Sequence, residues 1–529
     1  MATEPLGITL PEGYRRIPPQ LNLSYEVLYR QLESGCGPRL ALVSPHERLT
    51  YAELGAKVDA FAAGCLQQGI ARGDRVLIRM WNCIEYAVAF LGLVKIGAVA
   101  VMQNSVADVN DVAYVLDHSD SVAAVTLGDL AGPLRELRDR LPKGLIVARG
   151  HLDAEISFEA LTSTSQTAVP PADTAADEPA LMCYTSGTTG KPKGIVHAHR
   201  WIIALGDPNR LRVPPQPNDM VLAGGEWSFI SALGHNVLFP LRNGVSGAIL
   251  EARATPESFL QAIAGFKVTV TYGVPTVYRR TLAAAGIEKN YDLSSLRGCN
   301  ANGEALEAAT YHAWKQRFGV DIWEHYGVSE MQMIIGQSPR LPLKPGSIGV
   351  PWGVEAAVVD AEHRKLPAGE VGQLVIGADN PSMFLGYHKN PEKTAEVVHH
   401  GWYHTGDLAW QDEDGYFWIA GRNDDCFKSR GVFIAPIEIE NALREHPEIV
   451  EACVVPVPDE RDGNLIRAFL VTRTPVTARD AFIDEVRVML RKKIARNKVP
   501  HAFEFMDALP KSPIGKVLRR SLMQQCGTE

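Results

Sequence analysis

Cysteine is scarce and scattered in this sequence: eight residues occur among 529, with no C-x-x-C pair and no histidine at zinc-finger spacing. A disulfide scaffold and a structural zinc site are therefore not expected, and isolated thiols are typical of a reducing cytosol. The histidine pairs His197/His199 and His399/His400 have no further ligands beside them in the sequence. We therefore do not predict that they bind a metal.

Long apolar runs are also missing. The apolar stretch Tyr86–Met102 is interrupted by Lys95 and by glycines, and it is shorter than the ~20 residues that span a bilayer. We predict that it forms a buried helix running into a strand. Residues 1–19 lack the apolar core of a signal peptide. We therefore expect a cytoplasmic protein without membrane association.

Basic residues are not in excess, because 53 Lys and Arg stand against 61 Asp and Glu, a net charge of −8. This balance argues against a nucleic-acid partner. The basic stretch Arg487–Arg520 leaves two interpretations open, a local contact with phosphates or a solvated helix face. With 46% apolar residues the chain is expected to fold, and its length predicts two or more domains.

Alternating strand and helix signals predict the α/β class. A capping box, Thr50-x-x-Glu53, opens a helix that Gly69 closes, and short apolar runs then alternate with amphipathic stretches. Short strands and turns dominate from 365 to 421, as in a small barrel-like subdomain. Near Gly421 a break is expected, and beyond it the pattern predicts a compact α+β unit of about a hundred residues.

The stretch Tyr184–Gly194 contains three glycines, four aliphatic hydroxyls and two lysines after an apolar strand. Amide dipoles, hydroxyl donors and ammonium groups all favour a polyphosphate, so the stretch predicts a phosphate-binding loop rather than a solvated turn. It is not the G-x-x-x-x-G-K-[ST] loop, which would need a glycine at Thr185 and a hydroxyl at Pro192. No G-x-S-x-G elbow, dinucleotide fingerprint or kinase motif set was found.

The loop resembles the phosphate-loop signature of the adenylate-forming (ANL) superfamily, which includes acyl-CoA synthetases, luciferases and peptide-synthetase adenylation domains. The resemblance continues in order from about Thr50 to Lys516. It implies a large N-terminal domain of parallel-rich sheets flanked by helices, with a small barrel-like subdomain, at 1–421. At 422–529 it implies a small, mobile α+β domain. The large domain would bind ATP and the acid, and the small one would carry a hinge and a catalytic lysine.

Further motifs extend the resemblance to the nucleotide. Tyr326-Gly-x-Ser329-Glu330 resembles the family's Y-G-x-[TS]-E motif, with serine in place of the commoner threonine. The resemblance places Tyr326 at the adenine, Ser329 near the α-phosphate and Glu330 on Mg²⁺, whereas the residues alone leave a strand-end tyrosine and a solvated glutamate open. The residues implied in ATP or AMP binding are Thr185, Ser186, Gly187, Thr188, Thr189, Gly190, Lys193, Gly303, Glu304, Ala305, Tyr326, Gly327, Asp407 and Arg422.

Two motifs point to the chemistry of the C-terminal part. Gly421–Gly431 resembles the hinge motif, which implies Asp424 as the hinge residue. Pro510–Val517 resembles the loop P-K-[ST]-x-x-G-K, which implies Lys516 as a catalytic residue together with Glu330 and Ser329. The residues implied in coenzyme A binding are Gly431, Ser429 and Lys428.

The resemblance implies an AMP-forming acid–thiol ligase that uses ATP, Mg²⁺ and coenzyme A on a small carboxylic acid, closest to benzoate-type and medium-chain acyl-CoA ligases. An aryl or short-to-medium-chain monocarboxylic acid is favoured. The acid pocket is predicted from Trp227, His235, Tyr272, Gly273, Asn302, Met331 and Met333. A free-standing enzyme that transfers the acyl group to a carrier protein, instead of to coenzyme A, stays open as one alternative. A nucleotide-binding regulatory protein without catalysis is the alternative from a different functional class. A homodimer is one oligomeric state that the sequence leaves open.

Overall fold

The computed structural model describes residues 17–150, 153–163, 168–185, 191–251, 254–430, 432–459, 463–511 and 517–526. The chain divides into two compact units. One comprises the described residues of Met1–Glu355 and Gly377–Tyr403, and the other those of Ala356–Ile376 and His404–Glu529. The predicted boundary at 421/422 marks the start of the segment that is expected to move during the reaction, and it stays a prediction.

The strands of the described residues follow in chain order. They are β1 Leu40–Val43, β2 Arg48–Thr50, β3 Arg75–Arg79, β4 Val99–Met102, β5 Ser121–Leu127, β6 Leu145–Ala148, β7 Ile156–Ser157, β8 Pro179–Thr185, β9 Lys193–Ala198, β10 Met220–Ala223, β11 Ser246–Ala248, β12 Val270–Gly273, β13 Gly298–Ala301, β14 Ile322–Val328, β15 Gln332–Gly336, β16 Val350–Pro351, β17 Ala356–Val359, β18 Gly372–Gly377, β19 Gly386–Tyr387, β20 Val398–His399, β21 Trp402–Gln411, β22 Phe417–Arg422, β23 Phe427–Ser429, β24 Val432–Ile434, β25 Ile449–Asp459, β26 Gly463–Thr472 and β27 Ala502–Phe505.

The α-helices lie between these strands. They are α1 Tyr51–Gln67, α2 Ile84–Lys95, α3 Val109–Ser119, α4 Gly132–Glu136, α5 Phe158–Ser163, α6 Trp201–Arg212, α7 Ile230–Leu233, α8 Phe239–Arg242, α9 Pro256–Phe266, α10 Pro275–Ala283, α11 Ala308–Phe318, α12 Pro391–Val397, α13 Pro436–Arg444, α14 Arg479–Lys493 and α15 Arg519–Cys526. Wider π-helical turns occur at Tyr25–Tyr29, Leu32–Cys36 and Gly234–Leu238.

Helix α1 shows how the sequence sets the ends of an element. Thr50 Oγ1 accepts the Glu53 N–H at 3.2 Å, and the Glu53 carboxylate accepts the Thr50 N–H at 2.8 Å. This is the predicted capping box. The helix ends just before Gly69, whose φ of +76° suits glycine. The expected alternation of strands and helices is present from β3 to β5, and the stretch Tyr86–Met102 forms a helix followed by a strand as predicted.

An eight-stranded sheet carries the phosphate-loop segment, in the order β19-β9-β8-β4-β3-β5-β6-β7. Strands β3, β4, β5, β6 and β8 run parallel to their neighbours in this set, and β9 returns antiparallel to β8. The carboxyl end of β8 therefore lies at the same edge as those of β3 and β4. Ligands of parallel sheets collect at this edge.

A nine-stranded sheet forms the other layer of the first unit, in the order β16-β15-β14-β13-β12-β10-β11-β1-β2. Its central strands are parallel, and register pairs Tyr272 with Asn300 and Asn300 with Trp323. The carboxyl ends of β12, β13 and β14 therefore lie side by side. The motifs Tyr272-Gly273 and Tyr326-Gly327 come from this edge.

The described residues of the second unit contain three small sheets. An antiparallel one joins β17, β18, β21 and β22 and corresponds to the predicted subdomain. Strands β23 and β24 form a two-stranded antiparallel sheet. The third sheet has the order β25-β26-β27, and apolar residues of α13 and α14 pack with it in one core cluster. Pro436 begins α13, since its fixed φ suits the first helical position. The predicted combination of a large α/β part and a small α+β part is confirmed.

Candidate active site

The phosphate-loop stretch is the connection of a β-hairpin. Thr185 at the end of β8 pairs with Lys193 at the start of β9. Lys191 Nζ lies 5.2 Å from the ring centre of Tyr114, and Lys193 Nζ lies 5.4 Å from that of Tyr387. The mouth of the hairpin therefore carries two ammonium groups. Five residues of the prediction lie outside the described residues: Ser186, Gly187, Thr188, Thr189 and Gly190.

Glu330 is held beside this hairpin. The Tyr387 hydroxyl donates to Glu330 Oε1 at 2.6 Å, and the Phe384 N–H donates to the Glu330 carbonyl at 3.0 Å. Tyr387 belongs to β19, which pairs with β9 through Ile195. Strand β9, which contains Lys193, therefore also positions Tyr387 and, through it, the Glu330 carboxylate. Lys193 and Glu330 are far apart in the sequence.

A second bond ties the Glu330 turn to the hairpin. His197 Nε2 lies 2.8 Å from the Ser329 carbonyl oxygen. Burial lowers the pKa of His197 to about 4, so the ring is neutral at physiological pH. Because a carbonyl only accepts, Nε2 carries the proton and donates it to this bond. His197 therefore has a structural role at this turn.

Glu330 fits the predicted magnesium role. Magnesium is commonly held by one or two carboxylates together with substrate phosphates. Here a single carboxylate lies next to a predicted phosphate loop, and the phenol of Tyr387 orients it. Metal-binding carboxylates usually have such a hydrogen-bonded partner.

Close packing explains the glycine after Tyr326. The pairing of β14 with β15 shifts register between Tyr326 and Gly327. A Cβ on Gly327 would lie 2.5 Å from the carbonyl carbon of Gln332, closer than any real contact. Glycine is therefore required for the chain to turn toward Ser329 and Glu330.

The Gly303–Ala305 turn follows β13. Gly303 has a φ of +84°. The Glu304 carboxylate accepts from Arg279 Nη2 at 2.7 Å and from Thr276 Oγ1 at 2.9 Å. Helix α10 therefore anchors the turn predicted to face the adenine. Sequence analysis did not single out Arg279, because an arginine within an amphipathic helix carries no distinctive local pattern.

Four of the seven predicted acid-pocket residues are connected at the carboxyl ends of β12 and β13. The His235 ring stacks on Tyr272 with centroids 4.2 Å apart. Asn302 donates its side-chain N–H to Ser231 Oγ at 2.6 Å and its backbone N–H to Gly273 at 3.1 Å. The Ser231 carbonyl in turn lies 2.7 Å from His235 Nδ1. These side chains form one connected group.

The other three predicted pocket residues have different surroundings. Trp227 is fully buried, donates to Asn236 Oδ1 at 3.1 Å and packs edge-on against Tyr86. Met331 lies with its sulfur 3.5 Å from Asn380 Nδ2, and Met333 contacts Arg212. Their role in acid binding stays a prediction.

In the second unit the structure pairs Asp407 with Arg422. Their strands place them directly opposite each other, and Arg422 Nη1 lies 3.2 Å from Asp407 Oδ1. The preceding Gly406 has a φ of +75°, and a Cβ there would lie 3.2 Å from the Arg422 guanidinium. The carboxylate predicted to hold the ribose hydroxyls is thus positioned by the arginine predicted to assist it.

The hinge and coenzyme A motifs lie close together in the second unit. Asp424 sits in the short 3₁₀ turn Asn423–Asp425 after β22, and Lys428 and Ser429 lie on β23. Asn464 Nδ2 donates to the Lys428 carbonyl at 3.0 Å. Gly431 and Lys516 lie outside the described residues. Lys511 and Val517, on either side of Lys516, form an isolated β-bridge.

Comparison with known families decides the assignment. A sequence model described as AMP-binding enzyme matches residues 29–388, and one described as AMP-binding enzyme C-terminal domain matches 438–516. The chain belongs to the AMP-binding enzyme family. The adenylate-forming resemblance is therefore confirmed.

Individual members of the AMP-binding enzyme family match over nearly the full length. The chain is 31% identical to a benzoate–CoA ligase of Thauera aromatica, covering 96% of each. It is 31% identical to an acetyl-coenzyme A synthetase of Bacillus subtilis, covering 95% of this chain and 90% of the relative. It also matches a crystal structure of an anthranilate CoA ligase in complex with anthranoyl-AMP, with a TM-score of 0.90, 29% identity and coverage of 97% and 99%.

These matches make the protein an ATP-using, adenylate-forming enzyme of the AMP-forming acid–CoA ligase group. As an AMP-binding enzyme it acts on a carboxylic acid. Among the described helices, none has both the length and the apolar character needed to cross a membrane.

Proposed function

We propose that this enzyme activates an aryl or short-to-medium-chain monocarboxylic acid with ATP and transfers the acyl group to coenzyme A, releasing AMP and pyrophosphate. The observation that carries the proposal is the pair of hydrogen bonds, from Tyr387 and His197, that joins the phosphate-loop hairpin to the Glu330 turn. These bonds hold cationic groups and a carboxylate suited to Mg²⁺ in the same part of the fold. Reactions on a nucleoside triphosphate use this combination.

The first half-reaction joins two anions, the acid carboxylate and the α-phosphate of ATP. Lys193 at the hairpin mouth and the N–H groups of the loop would lower their repulsion. Glu330 would hold Mg²⁺, which supplies positive charge to the pyrophosphate leaving group. Lys516 would bridge the acid and the α-phosphate as charge moves between them. The product is an acyl-adenylate, with AMP as a good leaving group.

The motif residues would hold the nucleotide. Tyr326 and the Gly303–Ala305 turn would contact the adenine. One carboxylate can accept from both ribose hydroxyls, a role proposed for Asp407 with support from Arg422. The 3.2 Å pairing of these two side chains supports it.

In the second half-reaction a thiol attacks the activated carbonyl and AMP leaves. Lys516 is not needed there and would obstruct the thiol. We therefore propose that residues 422–529 rotate about Asp424 between the steps. Lys428, Ser429 and Gly431 would then form the face along which the pantetheine arm of coenzyme A passes.

A substrate panel tests the proposal. Benzoates, cinnamates and short-to-medium fatty acids are assayed for AMP release and thioester formation, with coenzyme A or a carrier protein as acceptor. Acyl-CoA formation from at least one acid is expected. Absence of AMP release with every acid would contradict the activity, and thioester formed only on the carrier protein would contradict the acceptor.

The variant Lys516→Ala separates the half-reactions. It is expected to abolish acid-dependent ATP–pyrophosphate exchange and to leave thioester formation from preformed acyl-adenylate nearly intact. Lys511→Ala is the matched control, because Lys511 lies in the same segment but pairs with Glu451, and it should retain both steps. Equal loss of both half-reactions in Lys516→Ala would refute the assigned role.

A further inference from the structure

A buried cation lies next to the predicted acid pocket. Arg212, the last residue of α6, has no exposed surface. Its guanidinium donates to Met333 Sδ at 3.1 Å, to the Gln337 carbonyl at 3.0 Å and to Asn209 Oδ1 at 3.4 Å. All three acceptors are neutral, and no carboxylate of the described residues forms an ion pair with Arg212. A buried charge without a counter-charge is costly and is usually matched by an anion or by strong acceptors.

Aromatic and imidazole side chains connect Arg212 to the pocket. The Tyr272 hydroxyl donates to Asn209 Oδ1 at 3.3 Å, the same oxygen that Arg212 contacts. His235 stacks on Tyr272, and the His325 ring centre lies 5.0 Å from that of His235. His235 and Tyr272 are predicted pocket residues, so Arg212 shares a hydrogen-bond acceptor with a residue of that pocket.

The two imidazoles are buried with unused hydrogen-bonding capacity. His235 and His325 are 2% and 3% exposed. Within the described part of the chain, neither nitrogen of His325 has a hydrogen-bond partner, and neither does His235 Nε2. Burial lowers the pKa of His235 to about 3, and Arg212 adds to this effect, so the ring is neutral. Because the Ser231 carbonyl only accepts, Nδ1 carries the proton and Nε2 is left as an unused acceptor. Buried polar atoms of this kind usually have a partner in the functional state.

The cluster of Arg212, His235 and His325 lies where an acid substrate is expected to bind. Tyr272 lies near the carboxyl end of β12, and His325 follows Glu324, the last residue of β14 that pairs with the parallel strand β13. His325 directly precedes Tyr326, the residue proposed for the adenine. Asn302 reaches His235 through Ser231. The cluster therefore lies where an acid joined to AMP would extend away from the nucleotide.

We infer that the acid substrate carries a hydroxyl group remote from its reacting carboxylate, which donates to His235 Nε2 and accepts from Arg212 or His325. A ring hydroxyl or an alkyl hydroxyl would satisfy this chemistry, whereas an unsubstituted ring or an alkyl chain would leave the polar atoms unpaired. The inference rests on the proposed function and narrows its substrate class. Sites built to bind a polar group discriminate strongly against analogues that lack it.

Matched acids test the inference on the full-length enzyme. Benzoate is compared with 3-hydroxybenzoate, 4-hydroxybenzoate and isophthalate, and pentanoate with 5-hydroxypentanoate and glutarate. The ratio of kcat/KM between hydroxylated and parent acid is expected to exceed about tenfold for at least one pair. Isophthalate and glutarate should gain nothing, because a carboxylate cannot donate to His235 Nε2, and a preference for them over the hydroxylated acids would overturn the inference. Parent acids preferred throughout would overturn the inference, and no AMP release with any acid would instead overturn the proposed function.

A variant of Arg212 tests whether the cluster causes the preference for hydroxylated acids. Arg212→Met keeps length and removes the donors, and it should lower the hydroxylated-to-parent ratio at least tenfold. Arg242→Met is the control, because Arg242 is also buried but pairs with Asp207 at 2.7 Å; it should leave the ratio unchanged. An unchanged ratio in folded Arg212→Met enzyme, verified by its melting temperature, would overturn the assignment. If that variant does not fold, the wild-type ratios alone decide.

Discussion

Removing the hydroxyl of Tyr387 tests whether Glu330 acts only when it is correctly oriented. The phenol donates to the carboxylate at 2.6 Å, and Tyr387 is 8% exposed, so water cannot simply replace the bond. A hydrogen bond to a charged group contributes about 1.5–3 kcal/mol. If that orientation is used in the first half-reaction, Tyr387→Phe should lower its rate about 10- to 100-fold. The packing of the ring is retained.

The assay is acid-dependent ATP–pyrophosphate exchange measured over a range of Mg²⁺ concentrations. We expect the half-saturating Mg²⁺ concentration to rise in Tyr387→Phe, because the carboxylate is held less firmly. Calorimetric titration of Mn²⁺ into the enzyme with a non-hydrolysable ATP analogue measures the same loss without turnover. Thioester formation from preformed acyl-adenylate should change little, since that step does not involve pyrophosphate.

A second phenol–carboxylate bond supplies the control. Tyr29 donates to Asp59 Oδ1 at 2.7 Å in the part-buried N-terminal region. Tyr29→Phe removes the same chemistry and should alter stability without changing the Mg²⁺ dependence. If Tyr387→Phe retained wild-type exchange and metal affinity, or if both variants shifted the Mg²⁺ midpoint equally, the orientation argument would be wrong.

Two further predictions concern the nucleotide and pH. Asp407→Asn should raise KM for ATP about tenfold with a smaller change in kcat, because a neutral amide accepts less strongly from the ribose hydroxyls; deoxy-ATP measures the loss independently, since the variant should discriminate less between the two nucleotides. Burial lowers the pKa of His197 to about 4, below its ordinary value of 6.5. Its contribution to stability is therefore complete above pH 6.5 and is lost as the pH falls toward 4, so His197→Gln should reduce the pH dependence of urea unfolding by about one proton in that window.

A specific result would contradict each of these two predictions. Equal KM values for ATP in wild type and Asp407→Asn would exclude the ribose contact. An unfolding curve of His197→Gln that depends on pH as steeply as the wild type would show that the buried imidazole is not the group that titrates. His199→Gln serves as the comparison, because burial also lowers the pKa of His199 to about 4 but its Nδ1 accepts from the Leu23 N–H.

Local sequence was sufficient to predict where helices begin and which motifs are candidates for binding the nucleotide. The capping box at Thr50 and the proline at Pro436 act within one helical turn, so their consequences can be predicted from neighbours in the sequence. The phosphate-loop stretch and the motif around Glu330 are equally local, since their chemistry depends on residue types that stand side by side. The family resemblance implied that Arg422 assists Asp407, but the register of β21 and β22 that pairs the two residues is seen only in the structure.

Tertiary structure alone decided what supports those motifs. Tyr387 reaches Glu330 across 57 residues, and His197 reaches Ser329 across 132. No periodicity or spacing relates such partners, because strand order and not sequence distance brings them together. The cluster of Arg212 and His325 is a stronger case. Either residue alone is an ordinary polar residue in a helix or strand. Among the described residues, Arg212 is buried without a counter-charge and His325 without a hydrogen-bond partner, and only this combination marks them as a candidate site.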